Sequence, residues 1–557
     1  MIYKGMKLDR IIQLIRFLVL FFLLSQGIRL NAQQDGRSKF LVVFKDKSSG
    51  YFNHQEYFDK YAIERRIKHK LPSYDYTDLP VNENYINEII RLSDSVKMVS
   101  RWFNAVVCYA NETSIVNIEQ LPFVSKIELL NRTGRIAIDD PGISFKKLSS
   151  DQKKLLSYQT SRMGSEEFSK NNIDGSGVRI AIFDAGFPGA DRNSAFDHIN
   201  SRGRIIKTYD FVKKKENVFE HNTHGTMVLS CIAGMVDSFN IGMATGSEFL
   251  LARTENAKVE PFSEEENWLA AAEWADKNGA DIINSSLGYT FHRYFSNQMD
   301  GKTSLVARAA NIAASKGILV INSAGNEGSA NWHCVGTPAD ADSVLSVGAI
   351  NPSTNLHTSF SSFGPTADKR LKPNVSSVGH VIAAQEIGFN STQGTSFSSP
   401  LTAGFAACAM QLNKSLTNME LFREIEKSAD LYPYFDYAHG YGVPQAAYFF
   451  EKELKNIEPT FDLVKENDFL FLIIRDQYLP VSNVSKNKFE VINPYQIRTF
   501  SKADYFYYHL ENEKKILDNY YVLEVAEKIV LKLSLADYKI GQTLRFHYKK
   551  YTLSYTI

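Results

Sequence analysis

"VRIAIFDAGF", Val178 to Phe187, is an apolar run that stops at a carboxylate. A run of that kind reads as a buried parallel strand that ends at the working edge of a sheet. Asp184 fits an ordinary strand-end turn, which Asp-Ala-Gly would make well, or a carboxylate that holds one imidazole nitrogen and stabilises the imidazolium. The chain repeats the pattern beyond it. "FLLARTE", "DIINSSL", "ILVINSAG" and "VLSVGAI" read as strands, and "EEENWLAAAEWADKNG" and "SLVARAANIAASKG" between them read as helices. Such alternation predicts βαβ units with right-handed crossovers, an α/β parallel β-sheet with helices on both faces.

Three further strings bear on Asp184. In "HNTHGTMVLSCIAG", the apolar residues after His224 recur at helical spacing, which places His224 at the first turn of a buried helix. The alternatives are a structural histidine and a metal pair with His221, but the His-Glu-x-x-His spacing and its glutamate are missing. In "GTSFSSPLTAGFAACAM", Gly394 allows a tight approach, Ser396 opens a buried helix and Pro400 sits where a first turn tolerates a missing N–H. A serine there lies beside unpaired backbone donors and the positive end of the dipole, although an isolated one would be read as an N-cap. "INSAGNEGS" contributes Asn326, an amide of the kind that binds an oxyanion.

With these strings in the order Asp, His, Ser, the region from Lys153 to Phe450 resembles the catalytic domain of the subtilisin-like (subtilase) serine peptidases. "ADIINSSLGY" resembles the family's substrate-pairing strand, which implies that Ser286, Leu287 and Gly288 lie beside the peptide. "FSSFGPTADKRLKPNVSSVG" and "HGYGVPQAA" resemble the stretches before the serine and at the domain's end. The resemblance implies a secreted serine endopeptidase with catalytic Asp184, His224 and Ser396 and with Asn326 in the oxyanion hole. It also implies a pocket floored by Gly325 and Gly336, roomy enough for large apolar residues, with Glu327 near the rim. The chain departs from the family at Ala185, Tyr289, Asn374, Val378 and Phe397, and none of these removes a catalytic group. The triad chemistry requires no metal or organic cofactor. Structural calcium is common in the family, and no acidic cluster here identifies a site. The other readings are an inactive binding scaffold, which loss of one of the four groups would have supported, and a serine esterase. The esterase reading calls for a Gly-x-Ser-x-Gly elbow and a different residue order.

The chain has 557 residues, 44% hydrophobic and 22% charged, with net charge +1. That is ordinary for a soluble protein of several domains, and no global polarity argues for nucleic acid as a partner. Residues 1–32 read as a signal peptide: Lys4, Lys7 and Arg10, then "FLVLFFLLS", then a cleavage site ending at Ala32. This predicts export, to the outside or the periplasm, with no membrane span in the mature protein. The four cysteines make no disulfide framework, and Cys231 and Cys408 read as buried thiols. Residues 38–130 mix strands and helices and resemble the α+β propeptide of subtilases, which implies an intramolecular inhibitor. Residues 131–152 read as a linker in which processing occurs, 153–455 as the catalytic domain, and 456–557 as a C-terminal all-β domain.

Overall fold

A computed structural model describes residues 37–47, 51–130, 143–145, 147–237, 239–256, 262–291, 293–451, 457–480 and 503–557. The signal segment, most of the linker and residues 481–502 of the C-terminal region lie outside the described residues. The chain divides into two compact units, residues 1–50 with 77–131, and residues 51–76 with 132–557.

In the first unit, strands Arg37–Phe44, Ser95–Ser100, Ala105–Asn111 and Val124–Leu129 form one antiparallel sheet, ordered second, third, first, fourth. Helices Glu83–Leu92 and Glu112–Glu119 connect them, a split βαβ arrangement. Val42, Phe44, Val106 and Cys108 share one core with Ile89 and Ile118 of the helices. The expected module over 38–130 spans both units. Residues 51–76 belong to the second unit, because Arg65 and Arg66 find their carboxylate partner there, at Asp276.

The second unit is built on seven parallel strands: β1 (Arg179–Asp184), β2 (Ile205–Asp210), β3 (Glu248–Arg253), β4 (Ile282–Ser285), β5 (Leu319–Ser323), β6 (Val344–Ile350) and β7 (Val375–Val378). Their order is β7-β6-β5-β4-β1-β3-β2. From β1 the chain fills one side, with β2 at the edge and β3 between them, and then builds outward from β4 on the other, so the topology reverses between β1 and β4. Four helices matter for the site: α1 (His224–Ala233), α2 (Ser263–Lys277), α3 (Leu305–Ser315) and α4 (Thr395–Leu412). Every residue of β1 is buried, as a strand covered on both faces requires. Ile180 and Ile182 share a core with α1 and α4, whereas Phe183 packs edge-on against Trp268 of α2 at 5.4 Å.

Two elements fall within the expected linker, 131–152. Ile143–Phe145 forms a strand paired with Phe389–Gln393, and a helix starts at Ser150 under a capping box of Ser149 and Gln152. The C-terminal region is a β-sandwich of a three-stranded and a four-stranded sheet, closed by a shared core in which Phe461 meets Phe506 edge-on at 5.3 Å. It packs on the loop after helix Asn418–Ser428. Tyr434 is fully buried, stacks on His509 at 4.9 Å and lies 5.8 Å from the ring of His547. His509 Nδ1 is 2.6 Å from Phe435 O.

Burial pushes the His547 imidazole down to about 4 from its usual 6.5. Between those values the unfolded chain binds a proton that the folded chain refuses. The stability contributed by a neutral His547 is therefore full above about pH 6.5 and is lost as the pH falls toward 4. His69 and His357, also lowered by burial, slope the same way. Unfolding free energy is expected to drop between pH 7 and pH 4.5. His547→Gln should flatten that drop by up to about 3 kcal/mol. Equal slopes in urea titrations of the two proteins would contradict it.

Candidate active site

Alternation along β1 fixes the first residue of the site. Ile180 and Ile182 face α1 and α4, and Asp184 continues the same parity, so its carboxylate turns toward the start of α1. That carboxylate has no solvent exposure, and a buried charge needs partners. It accepts the Ala185 N–H at 2.8 Å, and both its oxygens lie close to His224 Nδ1, at 2.8 and 3.0 Å. A carboxylate only accepts, so Nδ1 carries the ring proton and Nε2 is left as the acceptor. Gly225 makes the approach feasible. A Cβ there would come within 2.4 Å of Gly186 O and 2.9 Å of the Asp184 Cβ. Behind the turn, Arg253 at the end of β3 donates to Ala185 O at 3.1 Å and pairs with the buried Asp210 of β2 at 2.9 Å.

The nucleophile candidate sits at the start of α4. Gly394 adopts φ +146°, a conformation that side chains disfavour, and the helix follows directly. Pro400 lies deeper in the helix than the first-turn position expected from sequence. Its absent N–H would have bonded the carbonyl four residues back, that of Ser396. The hydroxyl of Ser286 supplies the missing donor, at 2.8 Å from Ser396 O. Ser396 Oγ in turn donates to Ser286 O at 3.3 Å. Catalytic hydrogen bonds are often loose without substrate. Phe397 is buried, with its ring 5.6 Å from that of His224.

Asn326 follows β5 at the same edge and is exposed. Its Oδ1 accepts from the backbone N–H and the hydroxyl of Thr395, both at 2.9 Å. Those two donors identify the oxygen end of the amide, so Nδ2 is the end offered elsewhere. Thr395 was missed in the sequence reading. Its signal was a hydroxyl next to the nucleophile, facing an amide whose orientation has to be fixed.

Beyond β4 the backbone runs through Ser286 and Leu287, both buried, to Gly288, which is exposed with nothing within 4 Å of where a side chain would start. Asn322 Nδ2 donates to Leu287 O at 2.9 Å and steadies this segment. Tyr289 and Thr337 exchange backbone hydrogen bonds at 2.9 and 3.2 Å, which brings Gly336 beside Thr290. Gly325 donates its N–H to Thr395 Oγ1 at 3.2 Å. Tyr289, one of the departures, is buried with the Arg293 guanidinium 4.1 Å from its ring centre.

The structure thus brings Asp184, Ser286–Gly288, Gly325 and Asn326 to the carboxyl ends of β1, β4 and β5, and His224 and Ser396 to the N-termini of α1 and α4. This is the edge where strand order reverses, the usual place for a site in an open α/β sheet. Cys231 and Cys408 are buried free thiols, and burial pushes Cys231 up to about 12, far from a thiolate at neutral pH. Among the described residues, no three His, Cys, Asp or Glu side chains are grouped to hold a metal.

Comparison with known proteins agrees with this arrangement. The subtilase family model matches residues 175–442, and a model described as the peptidase S8 propeptide domain of Bacteroidota matches residues 39–140. Subtilisin of Bacillus pumilus is 31% identical over 276 residues, which cover 49% of this chain and 90% of that protein. Subtilisin NAT of Bacillus subtilis subsp. natto is 29% identical over 297 residues, 52% of this chain and 71% of the relative. A thermophilic serine proteinase of Bacillus sp. (strain AK1) is 31% identical over 261 residues, 46% of this chain and 57% of the relative. A fully buried aspartate bonded to a histidine at a helix start, a serine and an amide on the same sheet edge, and this degree of identity over nearly all of a subtilisin lead to one conclusion: the chain belongs to the subtilase family of serine peptidases.

Proposed function

We propose that this serine endopeptidase cuts proteins through Ser396, His224 and Asp184, and the observation that carries the assignment is the buried Asp184–His224 bond. His224 Nε2 takes the Ser396 proton as Oγ attacks a peptide carbonyl. Asp184 keeps the proton on Nδ1 and stabilises the imidazolium. The Asn326 Nδ2 and the Ser396 backbone N–H donate to the tetrahedral oxyanion. His224 then protonates the leaving amine, and water attacking the acyl-enzyme regenerates Ser396. The chemistry uses no metal or cofactor. The substrate lies extended along Ser286–Gly288, where Gly288 leaves the backbone open for strand-like pairing.

The enzyme is proposed to be exported by residues 1–32 and to mature by cutting itself within 131–142. The strand Ile143–Phe145 supports a cut before it, since it already belongs to the catalytic unit. The severed propeptide then acts as an inhibitor. Wild-type protein should label with a fluorophosphonate, digest casein and shed the covalent link to its N-terminal region. Ser396→Ala should fold, do none of these and keep the region attached. Wild-type turnover by Ser396→Ala would sink the nucleophile assignment.

Two variants address the oxyanion. Asn326→Ala is expected to lower kcat about a hundred- to a thousand-fold with little change in KM, a range that comes from subtilisin, a relative. Thr395→Val keeps the backbone donor but removes the hydroxyl that fixes the amide, so kcat should fall about tenfold, the worth of one hydrogen bond. A kcat within twofold of wild type in either variant would contradict its role.

The pocket for the residue before the cut is proposed to be roomy and apolar. A Cβ on Gly336 would meet the Thr290 methyl at 2.9 Å, so glycine there keeps the floor open. Gly336→Ala should raise KM for substrates with Phe at that position while leaving those with Ala nearly unchanged. An equal effect on both, in a peptide series, would remove Gly336 from the pocket.

A further inference from the structure

Residues 51–76 leave the first unit after its first strand and return to it before helix Glu83–Leu92, yet they belong to the catalytic unit. They carry two short helices, His54–Tyr57 and Lys60–Lys68. The second presents Arg65 and Arg66, whose side chains are 0% and 2% exposed, to the single buried carboxylate of Asp276 near the end of α2. Arg66 Nη2 lies 2.8 Å from Asp276 Oδ2, and Arg65 Nη2 bonds the other oxygen. The rest of the Arg65 fork is also used. Its Nε donates at 3.1 Å to Lys316 O, the C-cap of α3, and its Nη1 donates to Ala280 O just before β4. Two guanidiniums thus meet at one buried carboxylate, and Arg65 reaches two backbone carbonyls of the catalytic unit besides.

The catalytic unit is shaped to this segment. A Cβ on Gly279 would come within 2.6 Å of the Tyr61 Cβ, and one on Gly317 within 3.1 Å of the His69 ring. Asp59 N bonds Lys277 O at 2.9 Å, the Arg179 guanidinium lies 4.1 Å from the Tyr61 ring centre, and Asn418 N bonds His69 Nδ1 at 3.2 Å. Arg179 opens β1, Ala280 precedes β4 and Lys316 precedes β5, so the seat lies at the amino ends of these strands. The triad lies at their carboxyl ends, about 15–20 Å away by strand length. The seat therefore lies away from the triad.

We propose that residues 51–76 are a retention clasp. Once the chain is cut within 131–142, this segment stays seated in the base of the catalytic unit and holds the N-terminal fragment as a second polypeptide of the mature enzyme. The proposal builds on the maturation reading above, and its test supplies the cut from outside. A recognition sequence for a site-specific protease is placed within 131–142 of the full Ser396→Ala chain, which is cut and passed over a gel-filtration column. The two polypeptides should co-elute, and the amides of Lys60–Lys68 should stay as protected from hydrogen exchange as before the cut. Asp276→Asn should release the fragment at least tenfold faster. A catalytic chain that elutes without residues 51–76, loss of protection in Lys60–Lys68 on cutting, or equally slow release from Asp276→Asn would each overturn the clasp. Should Asp276→Asn not fold, hydrogen exchange in the parent decides alone. Whether the wild type cuts itself is read separately, from the N-terminus of its large chain, so failure of self-processing and failure of the clasp give different results.

Discussion

The working geometry depends on a charge without water. The carboxylate of Asp184 is fully buried at the end of a strand whose every residue is buried, so it demands hydrogen-bond donors within the protein. One comes from the next residue's N–H and the other from the imidazole. The requirement reaches further back. The imidazole arrives only because Gly225 lets α1 begin against the turn, and the turn is held by Arg253, itself neutralised by Asp210 on the edge strand. Three neighbouring strands and one helix start thus serve a single ionised group.

Much of this was legible in the chain. The apolar run ending at Asp184, the helical spacing after His224 and the small residues after Ser396 each carry their own local signal, because burial forces a pattern on every residue of an element. The alternation of strand and helix likewise anticipated the parallel sheet. What the sequence hid are contacts between segments far apart in the chain. Nothing near Ser286 announces that its hydroxyl replaces the donor lost at Pro400, and nothing near Asp276 announces Arg65 and Arg66, more than two hundred positions earlier. Residues 38–130 read as one module of strands and helices for the same reason: periodicity tells which face is buried, not what covers it.

The departures from the family pattern fit one rule, that each new side chain is accommodated by burial rather than left at the cleft. Tyr289 goes inward under Arg293, and Phe397 packs beside the imidazole. Ala185 is buried too, and its backbone N–H serves the aspartate. Asn374 is tied on both sides, accepting from Ser346 N at 2.9 Å and donating to Glu426 at 2.8 Å.

The short strand Ile143–Phe145 has a mechanical consequence. It is the outer strand of a three-stranded sheet whose middle strand, Phe389–Gln393, runs straight into Gly394 and the nucleophile turn. The beginning of the catalytic chain is therefore stitched to the ribbon that aims Ser396. Trimming past Ile143 would turn that middle strand into a free edge, with a row of unpaired amides and carbonyls next to Gly394, whose φ of +146° side chains disfavour. The position of the new chain end and the stiffness of the reactive serine are in this way one mechanical variable.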